Sequence, residues 1–195
     1  HHIDIAQWGM GTDLTGPVEM KNITGKLDLK ALYNTATEFS FECVYESGVV
    51  MHVASPESKL MPEVEAQNAQ AGSTKAFDHV GVFFEGEGGK WIYVNRGKIQ
   101  ASSPDILRDK AREGEIHLYE SKDHTDNFLS CIYDGKPTAT PVEVSHRSIT
   151  ISHLANIALR TGSGSLKWDP KTETLADNAA ASKLLSKEWR KPWTL

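Results

Sequence analysis

Thr35-Ala36-Thr37-Glu38-Phe39-Ser40-Phe41-Glu42-Cys43-Val44-Tyr45 alternates through its second half. Phe39, Phe41, Cys43 and Tyr45 point one way, while Glu38, Ser40, Glu42 and Glu46 point the other. A period of two predicts a strand with one buried face and one face left to water or a partner. Ser47-Gly48 then turns the chain into Val49–Ala54, which predicts an antiparallel hairpin.

The same grammar continues on both sides. Upstream, Gly16-Pro17 closes a turn and Val18–Ile23 reads as a short strand, while Leu27–Leu32 fits no period cleanly. Downstream, Ser55–Thr74 reads as a surface excursion. His79–Glu85 is a strand pattern with Val80, Val82 and Phe84 on one side. Gly86-Glu87-Gly88-Gly89 joins it to Trp91–Val94. That glycine cluster lacks the G-x-G-x-x-G spacing and no helix pattern follows it, so it reads as a hairpin turn and not as a phosphate loop. Asn95-Arg96-Gly97 is a further tight turn, and Lys98–Ala101 pairs back. Ser103-Pro104-Asp105 opens a short helix expected to run through Arg112, and Ile116–Tyr119 reads as a strand or an extended entry to the next helix.

The last third is helical. Asp123 can cap a helix running to Tyr133 with Phe128, Leu129 and Ile132 on its buried side, and Gly135 ends it. Pro141 precedes a long helix, Glu143–Arg160, with an apolar stripe of Val144, Ile151, Leu154, Ala155 and Ala158. Gly162–Gly164 stops it, Trp168-Asp169-Pro170 reads as a turn, and Asn178–Trp189 as a final helix.

Antiparallel strands followed by helices predict an α+β fold: one largely antiparallel, open-faced sheet with helices on one face. A doubly wound sheet would alternate strand and helix, so no dinucleotide-binding (Rossmann) domain is expected in this chain. Residues 1–195 read as a single domain. The 39% hydrophobic and 24% charged fractions describe a globular chain. A net charge of −5 without a basic run gives no nucleic-acid footprint. No apolar run reaches the length of a membrane span, and no secretory signal pattern is present. Cys43 and Cys131 stand apart on apolar faces and read as reduced core residues. No metal-ligand spacing occurs, so no metal is expected.

At the start of the chain, His1, Asp4, Ile5 and Trp8 recur at three and four residues and so share a helix face. The leading His-His also has the form of an affinity-tag remnant. The stretch His1-x-x-Asp4-x-x-x-Trp8-x-x-Gly11 resembles the start of the second domain in the glucose–fructose oxidoreductase/inositol dehydrogenase (Gfo/Idh/MocA) family, whose pattern runs Asp-x-Gly-x-His-x-x-Asp-x-x-x-Trp. His1 falls on the family's catalytic His, and the family's Asp four residues earlier would precede residue 1. Gly89-x-Trp91-Ile92-x-Val94-x-Arg96-Gly97 resembles a hairpin of a bacterial branch of that family. His124-x-x-Asn127-Phe128-Leu129-x-x-Ile132-x-x-Gly135, Ser145-His146-Arg147-Ser148, His153-Leu154-x-Asn156-Ile157-Ala158 and Trp168-Asp169-Pro170 extend the likeness over most of the chain. Two turns depart from the branch pattern, at Gly162–Leu166 and at Ala176–Ala180.

The resemblance implies a C-terminal domain of the glyceraldehyde-3-phosphate dehydrogenase type, belonging to a longer oxidoreductase. Such enzymes oxidise a sugar or polyol hydroxyl and pass hydride to NAD or NADP. It implies that His1 is the base, an imidazole being suited to that role near neutrality. Asp4 would bind substrate or orient His1, or else bond within the core. His146 and Arg147 would reach a substrate hydroxyl or carboxylate, or form an ion pair. His124 and His153 read as packing residues, and Trp91 and Arg96 as sheet packing or interface. No NAD or NADP is expected to bind this chain alone, and it is expected to be inactive alone. The partners expected are a small carbohydrate or polyol and a second copy of the chain, packed through the sheet face that carries Val44, Val50 and His52 among Glu42 and Ser40; neither nucleic acid nor membrane is expected. Two other functions stay open: a non-catalytic binding and dimerisation module, and part of an NAD-dependent glycoside hydrolase.

Overall fold

The computed structural model describes residues 1–56, 80–109, 114–115 and 117–193. The chain divides into two compact units, one made of His1–Leu14 with Gly81–Ser148, the other of Thr15–Val80 with Ile149–Leu195.

The second of these holds a five-stranded sheet. Its strands are β1 (Glu19–Lys26), β2 (Glu38–Val44), β3 (Val50–Ala54) and, from the far end of the chain, β7 (Leu166–Asp169) and β8 (Thr174–Leu175). The order is β3-β2-β1-β7-β8 and every pairing is antiparallel. The alternation read in β2 is seen from Phe41 onward: Phe41, Cys43 and Tyr45 are buried, while Glu38, Ser40, Glu42 and Val44 keep partial exposure, and Phe39, expected on the buried face, is half-buried. Met20, Ile23, Met51, Leu166 and Trp168 join the buried set. In β1 the register slips between Lys21 and Thr24. Asn22, at φ 54°, takes up the additional residue as a bulge. Without it Ile23 would face out and Thr24 in, because a one-residue slip exchanges the two faces.

Strand β7 corrects the reading of Trp168-Asp169-Pro170 as a turn alone. Lys167 pairs with Glu19 and Leu166 with Met20, so the segment fills the sheet beside β1, and the turn follows it. A four-residue strand is too short to show its period.

Helix α4 (Val142–Thr161) starts in one unit and runs from Ile149 onward in the other. It is rich in β-branched residues, which are poor helix formers, so burial must hold it. Its expected stripe is present: Val144, Ile151, Leu154, Ala155 and Ala158 are all buried, with Ile157 beside them. At its C-terminal end Arg160 donates to the Asn34 carbonyl at 2.9 Å, and Ile23 N–H donates to the Gly164 carbonyl at 3.1 Å. The final helix is much shorter than its pattern: α5 covers Ala179–Ser182, capped by Asn178, and the residues to Trp189 leave it. Leu184, Leu185 and Trp189 are exposed, so no buried face rewards a longer helix.

The other unit holds a three-stranded sheet, β4 (Val82–Glu85), β5 (Trp91–Asn95) and β6 (Lys98–Ala101), joined by two hairpins. The expected hairpin at Gly86–Gly89 is there, tightened into a 3-10 turn over Glu87–Gly89. Trp91 and Tyr93 are buried, and Trp91 stacks on Phe83 at 5.5 Å between ring centroids. Helix α1 (His2–Gly9) packs on β4, with the Phe84 ring so close to Gly9 that a Cβ there would lie 2.3 Å from it. Helix α2 (Pro104–Arg108) is capped by Ser103 and has Pro104 in its first turn. It ends at Arg108, short of the expected Arg112, because Asp109 is already extended; residues 110–112 lie outside the described residues. So does nearly all of the Ser55–Thr74 excursion. His117–Glu120 has no regular structure.

Helix α3 (His124–Asp134) has both expected ends, an Asp123 side chain accepting from Asp126 N–H at 2.9 Å and a left-handed Gly135. Its buried face is not the expected one. Phe128, Leu129 and Ile132 are 57%, 45% and 61% exposed, and Cys131 is the residue buried. Asn127 fixes that orientation: its amide donates to the Tyr119 hydroxyl at 2.8 Å and its carbonyl accepts from Ala139 N–H at 3.0 Å. The α+β class and the antiparallel pairing are therefore as expected, with the strands shared between two sheets. Among the described residues there is no parallel strand pair.

Candidate functional site

Three pieces of the unit built on the small sheet meet around the first turn of α1: that helix, the β5–β6 turn at Asn95-Arg96-Gly97, and the early part of α4 ending at Ser148. Asp4 sits in the first turn of α1, where a carboxylate is favoured by the helix dipole. Its Oδ1 accepts a hydrogen bond from the Ser148 hydroxyl at 2.6 Å. That short, charge-assisted contact fixes the face of α1 against α4, and Ser148 is 8% exposed. His1, at the N-cap position, is exposed, and its Nε2 lies 2.7 Å from Arg96 Nη2. His2 reaches the same turn, with Nε2 3.3 Å from Asn95 Oδ1. Asn95 Oδ1 also accepts from Arg96 N–H at 2.7 Å, which shapes the turn that carries the guanidinium.

The structure thus brings His1 and Asp4 into one place. His146 and Arg147 stand just before Ser148 on α4, but Arg147 is engaged along its own helix: Nε and Nη2 both reach Glu143 Oε1 at 2.7 Å. His146 is exposed. Asp4 is met by neither of them but by Ser148, and His1 is met by Arg96. Sequence reasoning had assigned neither of these contact residues to the site. Ser148 was legible only as part of a family motif. Arg96 reads as a turn residue because a separation of 95 positions leaves no local trace.

The buried face of α1 also differs from its pattern. Ala6 and Gln7 are the buried residues, with Ile5 and Trp8 half-buried. Gln7 is fully buried yet satisfied: its carbonyl accepts from the Thr12 hydroxyl at 2.7 Å and its amide donates to the Thr12 backbone carbonyl at 3.1 Å, across the helix C-terminus. Gln7 thereby fixes where α1 ends.

A dinucleotide needs a parallel β-α-β crossover with a glycine-rich turn at a helix N-terminus. The described residues offer antiparallel hairpins instead, and their glycine cluster lies between β4 and β5, so they do not fit that cofactor. No group of three or more His, Cys, Asp or Glu among the described residues could hold a metal ion. No helix among them is long and apolar enough to cross a membrane. What the cluster can do is hold two imidazoles, one carboxylate and one guanidinium together, which is equipment for binding hydroxyls and moving a proton.

A family model described as "Oxidoreductase family, C-terminal alpha/beta domain" matches residues 70–195. No curated protein and no solved structure matches the chain.

Proposed function

We propose, from the premise that this chain belongs to the Gfo/Idh/MocA oxidoreductase family through its C-terminal alpha/beta domain, that it forms the substrate side of a sugar or polyol dehydrogenase. The bacterial branch is the one its Gly89–Gly97 hairpin resembles. In this reading NAD or NADP is held by residues outside this chain, and the chain alone does not turn over substrate. His1 takes the proton of the hydroxyl being oxidised. Asp4 has one oxygen engaged by Ser148 and the other left for a substrate hydroxyl. His146 and Arg147 line the approach, with Arg147 held by Glu143.

The observation that supports this best is the first turn of α1. The His-x-x-Asp spacing of the family pattern is carried there on a helix seated on β4, with both side chains fixed by contacts from other elements. The test is turnover of a panel of sugars and polyols by a protein carrying this chain together with a nucleotide-binding domain. His1→Ala is expected to lower turnover at least about a hundredfold, the lower end for a lost general base. Unchanged turnover would remove His1 from the mechanism. Release of a free sugar from a glycoside, with no net ketone, would identify the glycoside hydrolase alternative.

The second role is dimerisation through the outer face of the five-stranded sheet. Val44 and Val50 are register partners on that face, with Glu42 and His52 beside them. This mixture of apolar and polar groups suits a protein–protein interface.

A further inference from the structure

We propose that Arg96 is a positioning residue for His1: placed 2.7 Å from the imidazole, it fixes which ring nitrogen carries the proton and which carries the lone pair. This rests on the reading of His1 as the base.

A guanidinium has donors only and does not lose its charge in a protein. The partner atom of Arg96 Nη2 must therefore accept, so His1 Nε2 presents its lone pair and the imidazole is neutral. Its one proton is then on Nδ1. In a neutral imidazole the tautomer is set by whatever the other nitrogen meets, and here that is Arg96.

The turn that holds Arg96 is built for this. Asn95 Oδ1 accepts from Arg96 N–H at 2.7 Å and lies 3.3 Å from His2 Nε2, so two neighbouring residues of one turn meet two neighbouring histidines of one helix. Asp4, the carboxylate one turn further along α1, would favour the charged imidazole if it were free to turn toward it. Its Oδ1 is held by Ser148 instead. The charged side chains nearest His1 in this turn are thus Arg96 and Asp4, and the one in contact is the cation.

Nε2 is accordingly the nitrogen offered to a substrate. A hydroxyl that gives up its proton must take the place of the Arg96 N–H at that lone pair. As its O–H bond breaks and the N–H bond forms at Nε2, the displaced guanidinium is left beside the oxygen that acquires negative charge. A cation next to a developing alkoxide is the arrangement that stabilises it.

The experiment reads the tautomer directly, without substrate or cofactor. In the uniformly 15N-labelled chain, two-bond 1H–15N spectra recorded well above the histidine titration range distinguish the two neutral forms. His1 is expected as the Nδ1–H tautomer. Arg96→Ala is expected to remove that preference, and Arg96→Lys, which keeps a cationic donor, to restore at least half of it. The other seven of the eight histidines report in the same spectrum whether the variant is folded. His1 found as the Nε2–H tautomer in the unaltered chain, or an Nδ1–H tautomer unchanged by Arg96→Ala, overturns the proposal. If Arg96→Ala does not fold, the unaltered chain and Arg96→Lys still decide. The base role of His1 fails separately, by unchanged turnover in His1→Ala, and that result leaves the tautomer measurement as it stands.

Discussion

Asn22 shows how much one residue can do in this fold. It sits at φ 54° in the β1 bulge, and its amide donates to Glu42 Oε1 at 2.9 Å on the neighbouring strand. That bond is the main reason the Glu42 carboxyl is held below the usual carboxylate range, with Lys21 and His52 adding to it. Asn22→Ala is expected to cost about 1–2 kcal/mol, because a Cβ-bearing residue other than Asn or Asp is strained in the left-handed region. Asn22→Gly should cost less, since glycine keeps the conformation and loses only an exposed hydrogen bond. Chemical denaturation of the two variants checks the order. Cys43 supplies a pH-dependent counterpart. Burial pushes its thiol up to about 12. An unfolded thiol ionises near about 8.5. The folded state therefore keeps a proton that the unfolded state releases, and stability is lost as pH rises through that interval. The alkaline fall in denaturation midpoint is expected to be shallower in Cys43→Ala. A native protein at pH 8 is also expected to resist thiol alkylation at Cys43, with modification appearing only in denaturant. None of this was legible beyond the alternation that buried Cys43, since Asn22 looks like any polar strand residue until its register partner is known.

Elements were legible where two signals agreed. β2, β3 and the hairpins around β5 had alternation bounded by glycine turns, and they are where the sequence put them. α3 had both its caps, and so both its ends, but its face was wrong. A 3.6-residue period gives a choice of stripes, and here the polar contacts of Asn127 select the one that buries Cys131 and leaves Phe128 and Ile132 in the open. With so little apolar burial, α3 depends on its ends. Asp123→Ala is expected to cost about 1 kcal/mol through the lost cap. Gly135→Ala, at φ 64°, is expected to cost about 1–2 kcal/mol. Both should appear as lower thermal midpoints with reduced helical circular dichroism. The site shows the same division. His1 and Asp4 were read together because they lie one helical turn apart and fall on the family pattern. Ser148 and Arg96 were not assigned to it, because only the folded chain brings them there.

For the molecule as a whole, the outer face of the five-stranded sheet is the feature with a consequence in solution. Its polar residues are paired within the protomer, Lys21 with Glu42 at 3.4 Å and Lys26 with Glu38, while Thr24 and Ser40 share a hydrogen bond at 2.9 Å. Groups already satisfied can be covered with less desolvation penalty than free charges. The proposed homodimer is therefore expected to bury more than about 1,000 Å² in total through this face. Light scattering at micromolar concentration should give twice the 21.5 kDa of the chain. Val44→Lys with Val50→Lys should return it to that mass. A monomer in the unaltered protein would end the dimer proposal, and a dimer in the double variant would move it to another face.

The place of β7 beside β1 also has a consequence in time. A ribosome delivers β1, β2 and β3 early, and those three can pair at once. The inner edge of β1, at Glu19 and Met20, has to wait until Leu166 and Lys167 have been made. Meanwhile the hairpins of β4, β5 and β6 need only their neighbours in the sequence. The small sheet can be complete while the large one is still a nascent half with buried-type side chains uncovered. Pairings between distant parts of a chain form slowly and leave apolar surface exposed in the meantime. During synthesis, the hazard of this fold therefore lies along β1, and it ends only when Leu166 and Lys167 emerge.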